Sequence, residues 1–285
     1  KTEVTYYRRR TTDALFPVQQ PPSAGRWNAQ LENVGELTSR GLEVQVTGTA
    51  FDTPDWTLEL GAMFSSNASE VTDMGGATEI TIENPGFVIL GQPAPVIRAQ
   101  VVTNPDELAK PVYEEQIYGP NMPTTILGQT IQLRYRGLIL SARGEFQGGH
   151  YIFSRLEEGN VQRNVKWPPC YEIYARQAAQ GLGSLTALER SRCVAAEVKR
   201  DYFVYEGDFW KLRDVTLQLP VDQIFPWGES PMLTFSARNA LRWMKMPYMD
   251  PEMAGQAGQA DPVRTIRDNV PPPATFSASL RVSFR

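Results

Sequence analysis

Phe276-Ser277-Ala278-Ser279-Leu280-Arg281-Val282-Ser283-Phe284-Arg285 alternates without a break. Period-2 patterning puts Phe276, Ala278, Leu280, Val282 and Phe284 on one face of a strand. Three serines and two arginines occupy the other face, so the strand is not buried on both sides. An apolar face that begins and ends in Phe fits two settings. One is a transmembrane β-barrel, with apolar side chains outward and polar ones inward. The other is an edge strand of a soluble β-sandwich.

The bulk properties narrow the choice. The chain has 285 residues and a net charge of −4, which gives no electrostatic pointer to nucleic acid. Mean hydropathy is −0.35, and no apolar run approaches the length of a membrane-spanning helix. Membrane strands need only about ten residues each and are half polar, so a barrel stays open. The 22 glycines and 22 prolines often cluster, as in Gln20-Pro21-Pro22 and Pro271-Pro272-Pro273, which is turn and loop chemistry.

Seven further stretches read as strands: Thr2–Arg10, Leu37–Phe51, Asp55–Ser69, Ile126–Arg136, Leu138–Tyr151, Tyr202–Leu219 and Pro231–Leu241. Short and long connections alternate between them. Asp52-Thr53-Pro54, Gly137 and about a dozen residues containing Pro220 and Pro226 are the short ones, and the other four run to roughly 25–55 residues. Trp56 with Phe64, Leu138 with Phe146, and Phe276 with Phe284 each sit eight residues apart on one face. Eight residues span about 26 Å of strand, or about 20 Å of height at a tilt near 40°, close to the apolar band of a barrel.

The expected fold is therefore an all-β, antiparallel up-and-down transmembrane barrel segment with long extracellular loops. The expected outward, lipid-facing set is Trp56, Leu58, Leu60, Phe64, Leu133, Leu140, Phe146, Phe235, Phe276, Leu280, Val282 and Phe284. The expected lumen-facing polar set is Glu43, Glu59, Gln132, Arg134, Arg143, Glu145, Arg238 and Arg281. In the sixth strand Lys211 and Arg213 share the parity of Val215, Leu217 and Leu219. Either that part projects above the membrane or a bulge shifts its phase.

The one helix expected is Ser184–Lys199, which contains a Thr186-x-x-Glu189 capping box. It lies between Cys170 and Cys193, which share one long loop. A disulfide between them is expected beyond the reducing cytosol and would close a loop of about 24 residues, worth roughly 3–4 kcal/mol. His150, after Gly148-Gly149, reads as a solvated loop residue. One histidine and two cysteines give no zinc spacing, and no nucleotide or nucleophile motif stands in a strand–helix context. No enzyme and no cofactor are expected. The loop aromatics Tyr113, Tyr118, Trp167, Tyr171, Tyr174, Trp243 and Tyr248 are candidates to stack on a ligand, although loop packing would use them equally well.

Ordered short motifs add a resemblance. They are Asn33-Val34-Gly35-Glu36 with Gly41-Leu42-Glu43, Gly91-Gln92-Pro93, Leu133-Arg134-Tyr135-Arg136-Gly137, Asp208-Phe209-Trp210-Lys211-Leu212-Arg213, Arg238-Asn239-Ala240-Leu241 and Asp250-Pro251-Glu252. Together they resemble the C-terminal barrel of TonB-dependent outer-membrane receptors of the SusC/RagA-like group, over nearly the whole chain. Leu138 stands where that group usually has an aromatic.

The resemblance implies that residues 1–285 are a partial domain, with signal peptide, plug and N-terminal strands absent. It implies an outer-membrane location and TonB-dependent uptake of a large nutrient such as an oligosaccharide or peptide. It also implies as partners outer-membrane lipid, the rest of the barrel and its plug, TonB acting through the missing part, and a SusD-like surface lipoprotein. Two alternatives stay open: a self-closed eight-stranded structural or adhesive barrel, and a soluble β-sandwich binding module.

Overall fold

The computed structural model describes residues 1–285 apart from 19–29, 84, 199–202, 227–228, 256–262, 268–269 and 284–285. Fifteen strands follow one another along the described chain. They are β1 (Thr2–Val18), β2 (Gln30–Asp52), β3 (Trp56–Asp73), β4 (Glu79–Glu83), β5 (Gly86–Ile89), β6 (Val96–Val102), β7 (Tyr113–Pro120), β8 (Thr125–Tyr135), β9 (Leu138–Gly148), β10 (Tyr151–Ser154), β11 (Val204–Glu206), β12 (Phe209–Pro220), β13 (Glu229–Met244), β14 (Thr265–Ile266) and β15 (Thr275–Ser283). Three helices, α1 (Arg155–Gln162), α2 (Tyr171–Gln180) and α3 (Ala187–Cys193), lie between β10 and β11.

The eight expected strands form one sheet in the order β1-β2-β3-β8-β9-β12-β13-β15. All its pairings are antiparallel, and each of these strands pairs with the next of the eight in sequence. β1 and β15 stand at opposite ends of that order, so the described strands do not close on themselves as a complete eight-stranded ring. The three short connections fall at one end of the meander. At the tightest, Arg136 and Gly137 both have positive φ, 44° and 90°, as a two-residue hairpin turn requires. Arg136 also makes two 3.0 Å hydrogen bonds to Asp55, which lock this turn to its neighbour.

β1, β2, β3 and β13 run longer than the alternation suggested, whereas the expected strands Leu138–Tyr151 and Tyr202–Leu219 are cut short, because Tyr151 starts β10 and Val204–Glu206 forms β11 in a separate sheet. β1 continues to Val18 and β2 starts at Gln30, so only residues 19–29 separate strands expected to be about 26 residues apart. Above the apolar band both faces meet water, and alternation vanishes while backbone pairing persists. Phe284, counted among the outward set, lies outside the described residues.

The long connections are not bare loops. Between β3 and β8, the strands β4-β5-β6-β7 form their own sheet. A second small sheet, β11-β10-β14, joins two different connections, and β10 pairs with β14 in parallel. Of the helix expected over Ser184–Lys199 only Ala187–Cys193 forms, as α3, with both halves of the Thr186–Glu189 capping box made and Val194 already extended. Two further helices precede it. α1 carries Gly159 and Asn160, which weaken its helical signal. α2 follows Pro168-Pro169, a start signal overlooked beside the stronger capping box. Cys170 and Cys193 are joined by a disulfide, with Cα atoms 5.7 Å apart.

Packed core exists mainly where these connections meet. One cluster joins Ile152, Met246, Met249, Met253 and Ile266. Others gather Phe153, Val161, Val198 and Phe203, and Ile97, Ala99 and Val263. The eight-stranded sheet differs: Phe235 is 43% exposed, Leu280 48% and Phe276 74%. Among the described residues, no protein layer covers these large apolar side chains.

Candidate functional site

Register across the sheet sorts the side chains into two faces. One row of directly opposed residues runs Val44, Phe64, Leu127, Phe146, Trp210 and Trp243. A parallel row, further toward the short turns, runs Leu58, Leu133, Leu140, Leu217, Phe235 and Ala278. At the turn end Trp56 stacks on Tyr135, with ring centroids 4.0 Å apart. Trp56 and Phe64 therefore bound an apolar band on the turn-side half of β3. Polar side chains interrupt the face, among them Thr2 and Gln129 in one row with Val46 and Ala62. Gln129 accepts a 3.1 Å hydrogen bond from the Trp210 indole, which spares both groups an unpaired polar atom.

The opposite face carries the expected polar set. Glu59, Gln132, Ser141, Thr216, Ser236 and Ser277 stand in one row, and the Ser236 and Ser277 hydroxyls are 2.7 Å apart. Arg143 pairs with Asp214 at 2.9 Å, and Arg238 is opposite Asp214 on the other side. Glu43, Arg134, Glu145 and Arg281 share this face by register. An open groove of about 780 Å³ runs beside Glu59, Gln132, Ser141, Arg143 and Asp214.

The sixth strand has the bulge. Between Leu212 and Asp214 the pairing with both neighbours shifts, and Asn239, at φ 52°, lies in the shifted part of β13. Lys211 consequently opposes Glu145 on the polar face, while Val215 and Leu217 oppose Ala142 and Leu140 on the apolar one.

The bulge also builds an ion cluster at the base of the cap. Lys211, fully buried, donates to Asp250 at 2.7 and 2.6 Å and to Glu252. Arg213 reaches Glu145 at 2.9 Å and Glu252 at 2.5 Å, and Arg242 lies 3.4 Å from Asp250. Three cations thus meet three carboxylates, which makes burial of the lysine tolerable. The Asp208–Arg213 and Asp250–Glu252 motifs, 37 residues apart at their nearer ends, are two halves of one clamp between strand and cap.

Asn121 carried no sequence signal, yet it ties three connections together. Its buried side chain donates to Tyr151 O at 2.8 Å and Arg264 O at 3.1 Å, and accepts from the Arg264 N–H. Two further backbone bonds, Ala187 N to Glu107 O at 2.7 Å and Leu188 N to Pro105 O at 3.1 Å, hold α3 against the connection that contains β4–β7.

His150 is not solvated. It is fully buried under Gly207, where an added Cβ would meet Nε2 at 2.5 Å, and neither ring nitrogen has a hydrogen-bond partner. Burial, helped by the Arg264 charge and opposed by Asp208, pushes its pKa down to about 4. The flanking Gly-Gly looked like an exposed turn because the covering segment is 57 residues away in sequence.

Of the aromatic candidates, several are engaged in packing. The Tyr113 hydroxyl donates to Glu197 O at 2.7 Å, Tyr118 meets Tyr151 edge-on, and Trp167 packs on the Phe153 cluster. Lys166 sits over the Tyr174 ring. Trp243 lies in β13 rather than in a loop. Tyr171 and Tyr248 are exposed on the cap.

No family model matches the chain. It is 23% identical over 322 aligned residues to the TonB-dependent receptor P26 of Formosa agariphila, covering 99% of this chain and 32% of that protein. Among solved structures it is similar to the RagAB peptide transporter, at a TM-score of 0.76 and 18% identity. The "closed-closed" state of the RagAB peptide importer gives 0.75 at 18% identity. Each covers 99% of this chain and 33% of that one. The chain thus spans about a third of the length of the proteins it matches. In sequence the chain is similar to part of a TonB-dependent receptor, and in fold to part of the RagAB peptide transporter.

Proposed function

We propose that this chain is the C-terminal part of an outer-membrane receptor for TonB-dependent import of a nutrient too large for porins, an oligosaccharide or a peptide. The observation that carries this reading is the apolar face of the eight-stranded sheet. It is bounded by aromatics, lacks a protein layer, and is backed by a charged and hydroxylated face. Such a sheet is stable with lipid on one side and a hydrated lumen on the other. The open order, with β1 and β15 unpaired with each other, leaves both edges for the remaining strands of a larger barrel.

In this reading the polar face meets a plug domain. The ion pairs of Arg143 and Arg213 keep the lumen wall neutral and hydrogen-bonded while the plug moves. TonB supplies the energy through the plug side of the protein. The cap faces outward and meets substrate together with a SusD-like lipoprotein, and exposed Tyr171 and Tyr248 are the aromatics best placed to stack on it.

The test is uptake by cells that carry the full gene. Labelled peptides and oligosaccharides are supplied in parallel, with TonB present and deleted. Uptake of one class that is lost with either the gene or TonB is the expected result. Unchanged uptake of both classes would remove the transport reading.

A further inference from the structure

The face that carries Phe64 and Trp210 continues beyond the aromatic row toward the cap, and its chemistry there changes abruptly. Register places Tyr6 opposite Leu42, then Arg8 opposite Arg40, then Arg10 opposite Thr38. Arg40 in turn opposes Ala68 on β3. Two arginines directly across a strand pair repel one another and cost stability when nothing lies between them. Arg10 is neutralised by Glu36. Arg8 and Arg40 are exposed and have no ion pair among the described residues, and the nearest carboxylate row there is that of Glu70, opposite Thr38. A depression of about 270 Å³ lies between them, lined by Tyr6, Arg8, Thr38, Arg40, Ala68 and Glu70. Ala68 leaves room where a longer side chain would fill it.

Height decides what could enter. On β3, Ala68 stands four residues beyond Phe64, about 13 Å along the strand and about 10 Å in height at the usual tilt. That level lies just beyond the headgroup layer, which is about 5–7 Å thick on each side, and so within reach of a long side chain that turns back toward it. Long arginine side chains bend back toward such a layer while their stems cover apolar surface. Two guanidinium groups across a strand pair present a fork suited to one tetrahedral dianion.

We propose that Arg8 and Arg40 together bind the phosphate of an anionic lipid headgroup in the surrounding leaflet. The bound phosphate cancels the cross-strand repulsion and anchors the sheet at a set depth. This inference rests on the reading that the Phe64 face meets lipid.

The full-length protein in detergent micelles is titrated with phosphatidic acid, with phosphatidylcholine and with inorganic phosphate. Retained lipid is counted by native mass spectrometry. Arg9→Gln is the charge control, since Arg9 opposes Ser39 on the other face. Phosphatidic acid is expected to bind wild type and R9Q alike, and the R8Q/R40Q variant about tenfold more weakly or worse. Equal binding by R8Q/R40Q, or an equal loss in R9Q, would overturn the proposal. So would displacement by inorganic phosphate at matching concentration, which would make this a site for free anion. A separate readout tests the underlying reading. Brominated acyl chains should quench Trp56, Trp210 and Trp243. Absence of quenching removes the lipid-facing assignment itself, whereas quenching without a headgroup effect removes the arginine site alone.

Discussion

Single residues show how much of the cap depends on contacts between distant segments. His150 must stay neutral in its pocket, so its folded pKa near 4 lies below its ordinary value of 6.5. Above about pH 6.5 neither state binds the proton and its contribution is flat. As pH falls toward 4 the unfolded chain takes the proton first, and stability declines by up to roughly 3 kcal/mol. Melting of the protein in detergent should therefore hold steady from pH 8 to 6.5 and fall below it. H150M should flatten that slope, and an unchanged slope in H150M would assign the pH dependence to other groups. Asn121→Ala strands two carbonyls and one N–H in the core of the cap and should cost about 2 kcal/mol or more. Amide exchange should rise at Ile152–Ser154 and Thr265–Ile266 while β9 and β12 stay protected. Uniform exchange across cap and sheet would show instead that the two unfold together.

At the scale of elements, the disulfide and the bulge set where helices and strands can sit. Cys170 ends the turn before α2 and Cys193 ends α3, so the bond closes a hairpin of two short helices. Neither helix is long enough to persist alone in water. Replacing both cysteines by serine should destabilise the cap by about 3 kcal/mol. Limited proteolysis should then cut between residues 171 and 198 without releasing the sheet. Resistance equal to wild type would show that the capping box and the Arg190–Glu197 ion pair suffice. The bulge at Arg213 was one of two readings of a parity conflict visible in sequence. Register settled it, because β12 advances four residues from Lys211 to Val215 while β9 moves three, from Glu145 to Ala142, and the one extra residue puts the two on opposite faces.

At the scale of the molecule, the proposed function requires one sheet to separate lipid from a hydrated lumen. Leu140 lies in the middle of the apolar band, and Ser141 is its neighbour on the polar face. Leu140→Arg should cost about 2–4 kcal/mol in a bilayer, and Ser141→Arg should cost little, since the lumen is hydrated. Refolding titrations into lipid vesicles compare the two. Equal costs would mean that both faces see the same medium and would sink the membrane assignment.

Alternation alone was enough to read eight strands, their antiparallel order, the short turns and both faces, because period 2 ties each side chain to a side of the sheet. That Glu59 and Arg143 share one face and Leu58 and Leu140 the other follows from that local rule. The capping box and the likeness of ordered motifs were equally local. Only the tertiary structure decided the cap. The parallel pairing of β10 with β14, the Asn121 pin, the burial of His150 and the closing of Lys211 on Asp250 each join segments from 30 to 143 residues apart. No periodicity records such meetings, since their stability comes from excluding water between surfaces that are each half polar when taken alone.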